Sequence, residues 1–187
     1  RAALKSFKGS HYWKKSSDLD EMNELIERGA AFVCDDSSLE LIETIVTVIA
    51  CSKDGHMLVQ LGSWRPDSIA PKMMWPSMLV GKDENPILVF DRLVKAMHLL
   101  ITEVDIQERE VRTWKTNEGA YTKCCTQVTF FLRIEENHLM LSRLCATVDC
   151  KCGKVCVLRE PDAIDACTLY SWLDPSIVED RKRIQPW

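Results

Sequence analysis

No stretch of the 187 residues reaches the roughly 18 consecutive apolar side chains that a membrane-spanning helix needs, so no membrane span is expected. The longest largely apolar segments are short, Ile45 to Cys51 among them. A surplus of basic charge is missing too. Lys and Arg total 24 against 28 Asp and Glu, giving a formal charge of −4. Phosphate backbones are held by clustered Lys and Arg, so nucleic acid is not an expected partner. Glycine and proline are scarce, at seven each, and no Pro/Gly/Ser-rich linker divides the chain. No secretory signal, internal repeat or low-complexity tract is visible. The chain opens on Arg1 rather than Met, which reads as a processed product or a piece of a larger protein.

What is present is an ordinary globular composition, 46% apolar and 28% charged, long enough to bury a sizeable core. The nine cysteines are an odd number, which argues against a closed disulfide framework. They suit a reducing, intracellular compartment, where buried thiols act as small apolar groups. Four of them, Cys145, Cys150, Cys152 and Cys156, fall in a C-x4-C-x-C-x3-C pattern. Four thiolates can hold zinc in a tetrahedron, but paired C-x2-C knuckles are the usual spacing. Core thiols are therefore the reading, with a zinc or redox site as the alternative. Cys124-Cys125 is a further weak redox hint, with core thiols again the main reading. The histidines, His11, His56, His98 and His138, are scattered, and none stands at a spacing that signals nucleophilic catalysis.

The pattern of side chains predicts an α+β order. Ser17 to Gly29 has helical spacing of Leu19, Met22, Leu25 and Ile26. Leu41 to Ala50 and Met57 to Leu61 read as a hairpin about the turn Ser52-Lys53-Asp54-Gly55. Gly62 to Pro71, with two prolines, reads as a loop. Pro86 suits the first turn of a helix that continues to about Leu100, with Ile87, Leu88, Phe90, Leu93, Val94, Met97 and Leu100 recurring at helical spacing. Strands follow over Val104 to Lys115 and Cys124 to Glu135, joined by a turn at Thr116 to Gly119. Leu139 to Val148 and Lys154 to Leu158 add one or two more. Asp174 caps a last helix that starts at Pro175 and runs to Arg183. This order predicts a mixed β-sheet with helices packed on it.

The segment from Trp75 to Leu100 resembles the box of the Nudix hydrolase family, G-x5-E-x7-R-E-U-x-E-E-x-G-U with U a bulky aliphatic. Pro76 falls on the lead-in proline and Glu84 on the first box glutamate. Pro86 takes the common proline, Arg92 the box arginine and Val94 the aliphatic position. The resemblance implies an α/β/α sandwich over residues 39–187, preceded by a helical extension over 1–38. It also implies an ion-pair role for Arg92 toward Glu84, with an exposed helix residue as the equal alternative. The chemistry of the family needs several carboxylates to hold Mg²⁺ against a diphosphate. Here Leu93, Ala96 and Met97 stand where the helix glutamates belong, Leu99 replaces the following glycine, and Ser77 and Met78 replace the lead-in glycines. Glu84 alone cannot build that site.

The expectation is therefore a non-catalytic binding or scaffold domain with no cofactor, engaging a protein partner or the remainder of a larger chain. Ligand- or partner-binding residues are expected at Trp64, Trp75, Glu84 and Arg92. The tryptophans Trp64, Trp75 and Trp114 fall in or near the loops around the box, where an exposed ring would offer a partner surface and core packing of the rings is the other reading. The alternative is a Mg²⁺-dependent hydrolase of nucleoside diphosphate derivatives with displaced carboxylates, Glu84, Glu103, Asp105 and Glu108. Those last acids read more simply as a solvated edge strand, whose charges discourage unwanted pairing. Leu93 and Met97 are expected to be packed against protein.

Overall fold

The computed structural model describes residues 23, 26–27, 30–34, 39–81, 83–97, 105–117, 121–134, 144–150, 153–159 and 166–182. Ten strands and two helices are described. In chain order they are β1 (Ala31–Cys34), β2 (Leu39–Ser52), β3 (Met57–Arg65), β4 (Ser68–Met74), β5 (Ser77–Leu79), α1 (Pro86–Ala96), β6 (Asp105–Asn117), β7 (Thr122–Ile134), β8 (Leu144–Cys150), β9 (Gly153–Arg159), β10 (Cys167–Leu173) and α2 (Pro175–Lys182). The α+β class read from the sequence holds. Of the expected first helix, Asn23, Ile26 and Glu27 are helical and the rest lies outside the described residues, as does the boundary expected after residue 38. No described helix is long and apolar enough to cross a membrane.

Contacts gather the chain into two units, 1–46 with 78–89 and 111–128, and 47–77 with 90–110 and 129–187. In the first, β1 lies antiparallel on β2, Ala31 opposite Ile42 and Cys34 opposite Leu39. A small apolar cluster forms where Ile26, Phe32 and Tyr121 pack on buried Leu39. The rings of Phe32 and Tyr121 meet edge to face at 6.0 Å. β7 neighbours β2, and β6 lies outside β7. Thr113 and Thr126 touch through their hydroxyls at 3.4 Å.

In the second unit the expected hairpin forms. Cys51 faces Met57, and Gly55 adopts φ +89° in the turn, a conformation that side chains with a Cβ seldom take. β3 is the hub. One edge pairs along β10, Met57 opposite Leu173 and Trp64 opposite Cys167. Further along β3, β4 pairs antiparallel, Gln60 opposite Met74 and Arg65 opposite Ser68. β10 continues to β9 and β9 to β8, all antiparallel.

The predicted loop at Gly62 to Pro71 is thus corrected to the end of one strand and most of another. Three local features allow it. Pro66 and Asp67 supply a tight turn. Pro71 sits in β4, which among the described strands pairs only with β3, so its missing N–H is tolerable. Gly62 lies at a register irregularity with φ +152°, and a Cβ there would come within 2.5 Å of the Ala70 carbonyl oxygen. The core of this unit includes Val59, Trp75, Leu173 and Val178, with Ile49, Met57, Leu61 and Met73 against them.

Candidate functional site

The box-like segment enters β5 from Trp75 and Pro76 and leaves it at Val80. Val80 donates its N–H to Thr44 O at 2.8 Å, fixing the loop to β2. Glu84 then folds back on the loop. Its Oε2 accepts from the Gly81 N–H at 3.0 Å, and the Glu84 N–H donates to Gly81 O at 3.0 Å. A Cβ on residue 81 would touch that carboxylate at 3.0 Å, so the glycine makes room for the closure. Glu84 is half-buried and acts here as a loop brace.

Asn85 caps α1. Its Oδ1 accepts from the Ile87 N–H at 2.9 Å, and its carbonyl accepts from Leu88 and Val89. Pro86 therefore occupies the first helical position, where the proline expected in the first turn belongs. The cap itself was legible, since Asn before Pro is a helix-start signal, yet it was not among the expected site residues. The helix closes at Ala96, and Met97 still donates to Leu93 O at 3.0 Å; residues 98–100 lie outside the described ones.

The helix shows which positions face the protein. Val89, Phe90, Leu93, Val94 and Met97 are buried. Leu93 keeps 3% of its surface and Met97 none, as expected for an apolar pair in place of carboxylates. Phe90 stacks on Phe130 at 4.3 Å with planes tilted by 30°. Ile87 and Leu88 were counted on the same stripe but are exposed. A helix advances about 100° per residue, so both fall on the face that Asp91, Arg92 and Lys95 share. Asp91 and Lys95 pair there at 2.6 Å. Arg92 is exposed on that face.

The expected tryptophans separate. Trp75 is 7% exposed and sits in the core cluster with Val59 and Leu173, so it presents no surface to a ligand or partner. Trp64 is 40% exposed near the end of β3, opposite Ile69 of β4, which is also exposed. Trp114 lies within β6, half-buried. Of the displaced carboxylates, Asp105 and Glu108 stand exposed on β6, and Glu103 lies outside the described residues. Among the described residues, no group of three or more His, Cys, Asp or Glu side chains is placed to hold a metal ion.

Of the four late cysteines, Cys152 is not described. Cys145 and Cys150 lie on β8 and Cys156 on β9, with Cys150 opposite Gly153 and Thr147 opposite Cys156 in a register that shifts between Leu144 and Ala146. Cys51, Cys124, Cys125, Cys156 and Cys167 carry no disulfide.

The strongest electrostatic arrangement lies in the first unit and was missed from sequence. Glu43 is buried on β2, and Lys123 Nζ of β7 stands 2.6 Å from its Oε1. Burial works against the Lys123 charge, but the bond and charge of Glu43 outweigh it and raise the ammonium pKa. Burial first, then the Glu43 charge, pushes the Cys125 thiol up to about 12. Three residues back along β2, Glu40 accepts from Lys115 Nζ of β6 at 2.8 Å and from the Cys124 thiol of β7 at 3.9 Å. Single charges in β-strands signal no partner until register is known, which is why these pairs were silent.

No family model matches the chain, and no curated protein matches it. Solved structures similar to it include a Nudix hydrolase from M. smegmatis, 16% identical over 80% of this chain and 83% of that one, with a TM-score of 0.43. A C. elegans Ap4A hydrolase is 14% identical over 76% of this chain and 86% of that one, with a TM-score of 0.40. A Nudix hydrolase from Nitrosomonas europaea is 11% identical over 78% and 80%, with a TM-score of 0.42. Likeness at these identities carries nothing about activity.

Proposed function

We propose that this chain is a non-catalytic Nudix-like module that binds a protein partner or serves as a domain of a larger assembly. One observation carries the reading. Leu93 and Met97, at positions where the family pattern places metal-binding glutamates, are at most 3% exposed and belong to the packed face of α1. A packed apolar face offers a hard cation neither oxygen ligands nor room for its waters. Glu84, the surviving carboxylate, accepts the Gly81 N–H and stiffens the loop before the helix. The exposed pair Trp64 and Ile69 on the β3–β4 hairpin is the better-placed contact surface, with Arg92 as a charged group on α1. Trp75 supports the fold instead.

The test is incubation of the chain with nucleoside diphosphate derivatives and Mg²⁺ or Mn²⁺. No metal-dependent turnover is expected. Robust turnover that Glu84→Gln abolishes would overturn the proposal in favour of a hydrolase with displaced carboxylates.

A further inference from the structure

We infer that β6 is a self-pairing edge, joining two copies of this chain antiparallel about a two-fold axis at Glu110. The strand runs for 13 residues, Asp105–Asn117, and ends the order of the sheet. Among the described strands only β7 pairs with it. Nearly every side chain along it is exposed, on both faces. It contains no proline and no glycine, so every residue keeps its N–H and its extended bias. β4, with Pro71 in it, is blunted by comparison. Strands alternate the direction of their backbone groups, so the side of β6 away from β7 carries a row of donors and acceptors.

The occupant follows from the side chains. Charges on an edge discourage indiscriminate pairing, but those of β6 fall in a self-complementary order. With the axis at Glu110, Asp105 of one copy faces Lys115 of the other, Ile106 faces Trp114, Gln107 faces Thr113, and Glu108 faces Arg112. Each match occurs twice by symmetry. The single like-charge meeting is Glu110 with its own copy. Moving the axis to Val111 keeps only the Glu110–Arg112 match among charges. Moving it to Arg109 sets Arg109 against itself and Glu108 against Glu110. Opposite charges directly across a ladder stabilise it and like charges oppose it, so the first register is selected. Asp105 accepts from Gln107, Lys115 Nζ lies on Glu40, and Glu110 and Arg112 also have partners within the chain. Asp105, Arg112 and Lys115 are exposed and can take a second partner across the axis. One strand pair is a small interface, so the dimer is a weak one, with a Kd of roughly 10 to 100 μM.

Sedimentation of the full chain from low micromolar concentration to about 1 mM tests this, in the range that such a Kd demands. A concentration-dependent monomer–dimer equilibrium is expected. Glu108→Arg alone and Arg112→Glu alone should each weaken it about tenfold or more, since each turns two attractions into two repulsions. The double exchange E108R/R112E should restore it. Glu110→Gln should tighten it, an effect that mere disturbance of the strand does not produce. Circular dichroism checks that each variant is folded, and Glu110→Gln stands as the test if a charge reversal is not. A chain that stays monomeric throughout, a double variant no better than the singles, or a Glu110→Gln that loosens association would overturn the inference.

Discussion

Met97→Glu puts back the carboxylate that the family pattern places on this helix, and it separates a packed face from an open one. Met97 is wholly buried and donates its N–H to Leu93 O. A glutamate there cannot remain charged without a cation or donors around it, so it folds protonated. Its ordinary pKa is about 4.3, and holding it neutral at pH 7 costs about 1.4 kcal/mol per unit, close to 4 kcal/mol. Lost methionine packing adds about 1–2 kcal/mol. The sum is a large part of a typical stability of roughly 5–15 kcal/mol. The sign with pH follows from a folded pKa above the unfolded one. The penalty is smallest near the unfolded carboxylate pKa and grows as pH rises toward the folded one. Urea denaturation at pH 7 and pH 5 should therefore show the deficit shrinking by about 2–3 kcal/mol on acidification. Mg²⁺ should leave the midpoint unchanged. A variant as stable as the parent at pH 7, or one that Mg²⁺ stabilises, would refute the packed-face reasoning and reopen the metal site.

Other perturbations read the remaining features. Lys123→Met leaves buried Glu43 beside no cation. Breaking such a pair costs about 3–5 kcal/mol when fully buried, reduced here to about 1–3 kcal/mol because a third of the Lys123 side chain is exposed. The raised Lys123 pKa means that its contribution is complete at neutral pH and is lost as pH climbs through the strongly alkaline range, so denaturation curves of parent and variant should converge there. Asp174→Ala removes the acceptor for the Ser176 N–H at 2.9 Å and its hydroxyl at 2.5 Å. A loss of a few degrees in Tm is expected. The Ser176 hydroxyl first, then its N–H, lowers the Asp174 pKa, so this contribution is full above the ordinary Asp range and fades as pH falls through the folded value. Thermal melts of both proteins at pH 7 and pH 3 should show the gap closing in acid.

Much of the fold was legible because local chemistry decided it. Asp54-Gly55 forced a hairpin, Pro86 opened a helix, and Asp174-Pro175 opened another. The burial of Leu93 and Met97 followed from their spacing. The misreadings share one cause: tertiary partners overrode local preference. Pro66 and Pro71 suggested a loop, but the register about Gly62 and the neighbouring β3 made strands of both flanks. Trp75 looked like a loop ring and is a core ring, because the segment between β4 and β5 passes close to Val59 and Leu173. Ile87 and Leu88 fitted a loose count of helical spacing but lie off the buried stripe. The Glu43–Lys123 and Glu40–Lys115 pairs join residues about 75 to 80 positions apart, which no spacing rule reaches.

Cys124 and Cys125 leave the sheet with an internal gauge of its own opening. The two thiols are neighbours in sequence on opposite sides of β7, one half-exposed beside Glu40, the other buried with a pKa of about 12. A thiol reagent at neutral pH can meet Cys124 in the closed sheet, whereas Cys125 reacts only in molecules whose β2–β7 pairing has let go. The ratio of the two labelling rates then measures how often that part of the sheet opens, with adjacent residues of one strand serving as probe and reference.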